Sequence, residues 1–387
     1  MINQIRILRI QDLALQLKMM GMTVVTLILL TLVSCVAKEE MEEPADVDFS
    51  RTALLGDLAE HIEQDFSSYL EALSTMQAEA SAFDANPSIS QLQALRDTWS
   101  TALLRWQHVA PYSFGLSAEL ALEAYSNIYP TSTERIEQNI TSGDYMLGSA
   151  NNLSAMGLQA IDYLIHAAGA TDEEIVARYS SDDGAESPGN YLIALCEHLS
   201  LNTSQVANTW NSASAERASF IANDGNDQGS SLGLFLNAFN KSYEKSTRTE
   251  KLGIPSGALT FSMTPNPNTV EAYYEGNKSI VYLEESINAF EALYVGMESE
   301  DISLSDYLIA LDARHGEKSL DEAIRNQIES VRSAIDLMDD PLSDFVVNEQ
   351  ETALAAFAEM QALVVLWKVD MMSALGILIT YQDNDGD

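Results

Sequence analysis

The chain has 387 residues, with 58 acidic against 20 basic side chains and a formal charge of −38. Such a balance excludes nucleic acid as a partner, because phosphate binding needs a basic face, and leaves a solvated acidic surface or a weak attraction for cations. An apolar fraction of 46% supplies a large core and excludes a disordered chain, and the length suits about two domains.

Arg6, Arg9 and Lys18 lead into an apolar run from Val24 to Val33, too short to span a bilayer comfortably and suited to a signal peptide. Leu32-Val33-Ser34-Cys35 matches the bacterial lipobox. Cleavage is expected before Cys35, with lipid on its amino group and thiol, so acyl chains rather than a helix would form the anchor. Residues 1–34 thus read as a lipoprotein signal peptide and 35–48 as an acidic tether. The Lys-Glu-Glu just after Cys35 resembles the surface-export signal of Bacteroidetes lipoproteins. The expected location is the cell envelope, on the periplasmic face of the outer membrane or at the cell surface. Cys196 lies in an apolar helical run and is expected to be a buried thiol.

From Phe49 the chain reads as helix after helix. Leu54, Leu55, Leu58, Ile62, Phe66, Tyr69 and Leu70 recur at steps of three and four and predict one buried helical face. Pro87 breaks that helix, Ser88 or Ser90 caps the next, and Pro111 ends it. Further helices are expected at 156–170, around 173–180, over Tyr191 to Ala222 and over Ser230 to Thr249. The segment from Lys251 to Asn277 holds three prolines and three glycines and has no helical period. A domain boundary is placed before it. Four more helical runs follow, and strand-like alternation is scarce. The expected fold is all-α: two helical-bundle domains, 49–250 and 251–387, joined by an extended Pro/Gly-rich linker.

Candidate chemistry concentrates in MGLQAIDYLIHAAGA, residues 156–170. Gln159, Asp162 and His166 share a helical stripe, and Asp162 with His166 could ligate one metal ion, although two ligands do not complete a site. Spacing alone is better matched by an Asp–His pair at the edge of a packed face. His61, His108, His198 and His315 are scattered. There is no HExxH, no CxxC, no Gly-rich phosphate loop and no GxSxG. Asp383, Asn384, Asp385 and Asp387 around Gly386 look like the opening of a calcium loop whose twelfth-position ligand is missing. The aromatic runs Trp99–Trp106 and Tyr273–Tyr282 read as core.

Several stretches, in order, resemble the imelysin-like proteins. LRDTWSTALLRWQHVAPYSFG resembles their tryptophan-rich helix ending in Phe-Gly, and NIYPTSTERIEQNI their aromatic-Pro segment. GLQAIDYLI falls where the family carries Gly-x-His-x-x-Glu; EKLGIPSG and VEAYYEGNKSI resemble the second-half entry of Bacteroidetes members; and WKVDMMSALGILITYQDNDGD resembles their C-terminal helix and ending. The resemblance covers about Phe49 to Asp387. It implies two helical bundles with a site near the motif at their interface, an envelope location and a link to iron or other metal acquisition. It also implies a metallopeptidase ancestry.

The central residues depart from the family pattern. Gln159 stands at the histidine position and Asp162 at the glutamate position, and Ala110 replaces a second acidic residue before Phe-Gly. Gln is a poor transition-metal ligand and no general base near neutral pH, so catalysis is not expected. The candidate ligand-binding residues are Gln159, Asp162, Trp106 and Glu271, and the candidate metal ligands are Asp162 and His166. The ion would be a divalent or iron cation. The partners are the membrane, through Cys35, and an outer-membrane transporter. The expected function is a non-catalytic binding component in metal or metal-complex acquisition. The alternatives are a metal-dependent peptidase and an interaction protein whose site has been lost.

Overall fold

Ser50 accepts a hydrogen bond from the Ala53 N–H and opens α1 (Arg51–Ala85), whose predicted face is buried from Leu54 to Tyr69 and continues through Leu73, Met76 and Phe83. Leu70 is half-buried at the edge of that face. Pro87 lies in the break, and Ser88, not Ser90, caps α2 (Ile89–Val109) through the Gln91 N–H. A 3-10 turn at Ala110–Tyr112, containing Pro111, closes α2. The computed structural model describes residues 49–381 except 170, 182, 183 and 185. The Cys35 anchor, its flanking segments and the acidic tail at 383–387 lie outside the described residues.

The chain continues through α3 (Gly115–Glu119), α4 (Leu122–Ser126), α5 (Thr133–Ser142), α6 (Gly157–His166), α7 (Asp172–Ser180) and α8 (Glu186–Trp210). The run expected from Tyr191 to Ala222 is two helices: Asn211–Ser214 form a turn, Ser214 caps the Arg217 N–H, and α9 (Ala215–Ala222) begins anew. Next, α10 (Ser231–Ser242) passes without interruption into a π-helical stretch, Tyr243–Gly253, and on to α11 (Ile254–Ser256). The remaining helices are α12 (Ser279–Val295), α13 (Leu304–Ala310), α14 (Leu320–Ile335), α15 (Leu342–Asn348), α16 (Gln350–Val364), a second π-helical stretch at Val365–Met371, and α17 (Met372–Ala374). Between α13 and α14 lies a small antiparallel pair, β1 (Arg314–His315) and β2 (Lys318–Ser319), with Arg314 opposite Ser319.

The architecture is all-α, as the sequence implies. In the first half, α1 and α2 pack along each other, α8 lies against α1, and α6 contacts α2 and α8. In the second, α14 packs on α16, and the two π-helical stretches face each other. Trp367 from one meets Tyr243 from the other at 4.7 Å, with Phe239 and Phe290 completing the aromatic pack. Lys368 donates to Glu244 at 3.0 Å across the same contact. The buried residues form one continuous cluster through both halves, and the Tyr282 hydroxyl on α12 meets Ser100 on α2 at 2.9 Å.

The boundary placed after Glu250 falls inside the continuous helix that ends at Ser256. Nor is the Pro/Gly-rich segment a free tether. It turns at Gly257 and passes an exposed tip at Phe261, and Val270, Glu271 and Ala272 are then buried against the first half. Low helical propensity made this stretch look like a spacer. Backbone hydrogen bonds to side chains of α6, which propensity does not register, hold it in place.

Candidate functional site

Helix α6 is fixed before it offers any side chain. Gly157, its first residue, has φ +76°, and a Cβ there would lie 2.5 Å from the Ser126 carbonyl oxygen, so only glycine fits. From α2, the Trp99 indole N–H donates to the Leu158 carbonyl at 2.9 Å. Arg96 donates through Nε to the Ile165 carbonyl at 2.8 Å, satisfying the end of the helix, and grips the Asp172 carboxylate with both terminal nitrogens. The Arg96 hydrogen bonds hold the Asp172 carboxyl below its ordinary range, overcoming a smaller opposing effect of burial.

Gln159 on the one hand and the Asp162–His166 pair on the other have different protein partners. Asp162 has no exposed surface. One carboxylate oxygen accepts the Tyr274 N–H and the other the Glu275 N–H, each at 3.0 Å. His166 Nδ1 adds a contact to Asp162 Oδ1 at 2.9 Å, with its ring 5.2 Å from Trp99. Gln159, also buried, accepts the Ala272 N–H through Oε1 at 2.9 Å and donates through Nε2 to Asn127 Oδ1 at 2.8 Å. One acceptor and one donor are what a neutral imidazole would offer, so Gln159 keeps that hydrogen-bonding capacity without basicity. Ala272 is held at φ +55°, costly for a residue with a Cβ and sustained here by the Gln159 bond.

Glu271 stands beside this clasp. Its carboxylate forms a buried ion pair with Lys251 and accepts hydrogen bonds from Asn127 at 2.6 Å and Gln107 at 3.3 Å. Its backbone carbonyl accepts the Ser279 hydroxyl at 2.6 Å. Burial lowers the Lys251 pKa, and Glu271 opposes that shift. A narrow cleft adjoins the pair, lined by Trp106, Ala110, Glu123, Tyr129 and Glu250. Its cavity volume is about 10 Å³, close to the room of a single water. Burial raises Glu250, whereas for Glu123 the effect of burial is overcome by Lys245, which leaves that carboxyl lowered. Burial, reinforced by Glu271, pushes the Tyr129 hydroxyl well up.

Among the sequence candidates, the structure thus brings Gln159, Asp162, His166 and Glu271 into one polar network and puts Trp106 on the cleft wall. The network also contains Asn127, Gln107, Lys251 and the amides of 272–275, which the sequence reading did not single out. The available signal was a lone lysine and a lone glutamate flanking a Pro/Gly-rich segment. The other histidines are engaged elsewhere: His61 with Asp301 at 2.7 Å, His108 with Glu285 at 2.6 Å, and His315 with Asp370 at 2.8 Å. His198 lies edge-on to the Tyr125 ring.

This donor set does not fit a resident catalytic metal. Such a site needs about three protein ligands and an open position, and no group of three or more His, Cys, Asp or Glu side chains placed to hold a metal occurs among the described residues. Asp162 already accepts two backbone N–H groups and faces His166, which leaves little lone-pair capacity.

Comparison with known proteins agrees with this architecture. No curated protein matches the chain. An imelysin-like protein from Psychrobacter arcticum 273-4 shares the fold with a TM-score of 0.59 at 14% identity, over 87% of this chain and 99% of its own. A protein described as an iron-regulated protein A precursor from Parabacteroides distasonis ATCC 8503 does so with a TM-score of 0.65 at 16% identity, over 85% and 98%. The imelysin profile, Peptidase_M75, matches residues 62–366. With most of its length matched in this way, the chain belongs to the imelysin family.

Proposed function

We propose that this imelysin-family chain is a non-catalytic binding component of iron or metal acquisition, held on the outer membrane by lipid at Cys35. One observation carries the reading. The side chains at the motif positions, Gln159 and Asp162, are engaged by the backbone amides of Ala272, Tyr274 and Glu275. They clasp two parts of the fold together, a structural task that requires neither a metal nor a general base. Metal acquisition draws support from the fold shared with an iron-regulated protein A precursor, and from a field of negative charge that concentrates cations. The envelope location draws support from the apolar run and lipobox at residues 24–35. The anchored chain would then present its metal or metal complex to an outer-membrane transporter.

The test is growth of a deletion strain under metal chelation, complemented by the wild-type chain, by Asp162→Asn and by Cys35→Ser. The reading predicts impaired growth of the deletion, rescue by the wild type and by Asp162→Asn, and none by Cys35→Ser. Growth unaffected across iron, zinc and copper limitation would reject the acquisition role. Chelator-sensitive cleavage of unfolded casein by the pure protein would reject the non-catalytic one.

A further inference from the structure

Away from the clasp, where α3, α8, α9 and α10 converge, lies an open cavity of about 480 Å³, within the size range of small-molecule sites. Phe114, Trp210 and Phe220 form an aromatic wall. The Trp210 ring stands edge-on to both phenylalanines, at 5.6 and 5.1 Å, and the two phenylalanine rings lie 5.9 Å apart. Glu119 and Glu216, both exposed, line the same cavity, and no lysine or arginine does. The neighbouring cation, Arg217, is turned away and bonds Glu63 and Glu60 on α1. Ser231 and Trp210, both largely buried, also line it.

We infer that this cavity binds a small organic cation, an amine or quaternary ammonium with an apolar body. The aromatic faces attract the positive charge and cover the apolar part. The two carboxylates supply the counter-charge at the rim. This site is independent of the Gln159–Asp162 clasp and of any role in metal acquisition.

The experiment is calorimetric titration of the full-length purified protein at low ionic strength with phenethylammonium, with 2-phenylethanol as neutral and phenylpropionate as anionic counterparts. Saturable binding of the amine is expected, with weaker binding of the alcohol and none of the anion. The double variant Glu119→Gln/Glu216→Gln, altered only at exposed positions, should weaken the amine by about tenfold. The amine should also quench tryptophan fluorescence in the wild type but not in Trp210→Phe. The inference is overturned if the amine gives no heat up to about 10 mM, if the alcohol binds equally well, if the double variant binds unchanged, or if quenching persists in Trp210→Phe.

Discussion

Replacing Asp162 by alanine should cost about 3 kcal/mol of stability. The carboxylate satisfies the N–H groups of Tyr274 and Glu275 and faces His166. An unsatisfied buried donor costs about 1–3 kcal/mol, so the two stranded N–H groups could together reach about 6. Two effects keep the loss near the low end. Tyr274 and Glu275 are half-buried, so water can partly replace the carboxylate. Removing a buried charge also removes its desolvation penalty. At about 2.1 cal/mol/K of unfolding entropy per residue, roughly 330 folded residues give about 0.7 kcal/mol/K, so 3 kcal/mol lowers Tm by about 4 °C. Asp162→Asn, which retains one acceptor oxygen, should lose about half as much. Thermal unfolding followed by fluorescence measures both. Hydrogen exchange supplies the local readout: the amides of 274 and 275 should lose protection in both variants, more than their neighbours do. If Asp162→Ala left Tm and those two amides unchanged while abolishing tight metal binding, the clasp would be wrong and Asp162 would be a ligand.

Lys251→Met should destabilise by about 3–5 kcal/mol because it strands the Glu271 carboxylate, and Lys251→Met/Glu271→Met should recover most of that loss; a double-mutant cycle by denaturant unfolding measures the coupling. Gly157→Ala, forced against the Ser126 carbonyl at a left-handed φ, should cost several kcal/mol, about 3 or more, visible as lower soluble yield and Tm. Asp172, lowered in the fold by Arg96, contributes stability above its unfolded pKa that disappears as pH falls through the folded value; Asp172→Asn should flatten Tm against pH on that acid side and leave the neutral-to-basic side parallel to wild type. The Cys196 thiol, pushed up to about 12 by burial, should resist a thiol reagent in the native state. After denaturation the wild-type chain should expose one thiol if Cys35 carries the anchor and two if it does not.

The legible part of the fold was the part carried by local pattern. The 54–69 face, the Ser88 cap and the breaks at Pro87 and Pro111 are set by residues within a turn or two of each other, and they lie where periodicity and capping put them. The break at Asn211–Ser214 was hidden because polar residues there differ little from those of an exposed helical face. Among site residues, Gln159 and Asp162 could be found from their motif, but their partners could not. Those partners are backbone amides about 112 residues away, and an amide leaves no mark in the side-chain sequence. Asn127 and Gln107 were unreadable for a similar reason: each is one of many neutral amides until the fold sets it beside Glu271.

The uninterrupted helix from Ser231 to Ser256 has a consequence for how the molecule can be divided. A fragment stopping at Glu250 would end in mid-helix and lack Lys251 and Glu271. It would retain Gln159 and Asp162 with nothing to hold. Its complement would carry the 272–275 strap with no helix to fasten it. Neither piece is self-sufficient, and supplying both together should restore what each lacks. Any gene fusion, truncation or proteolytic nick at the apparent seam is therefore a cut through a shared fastening, not between two modules.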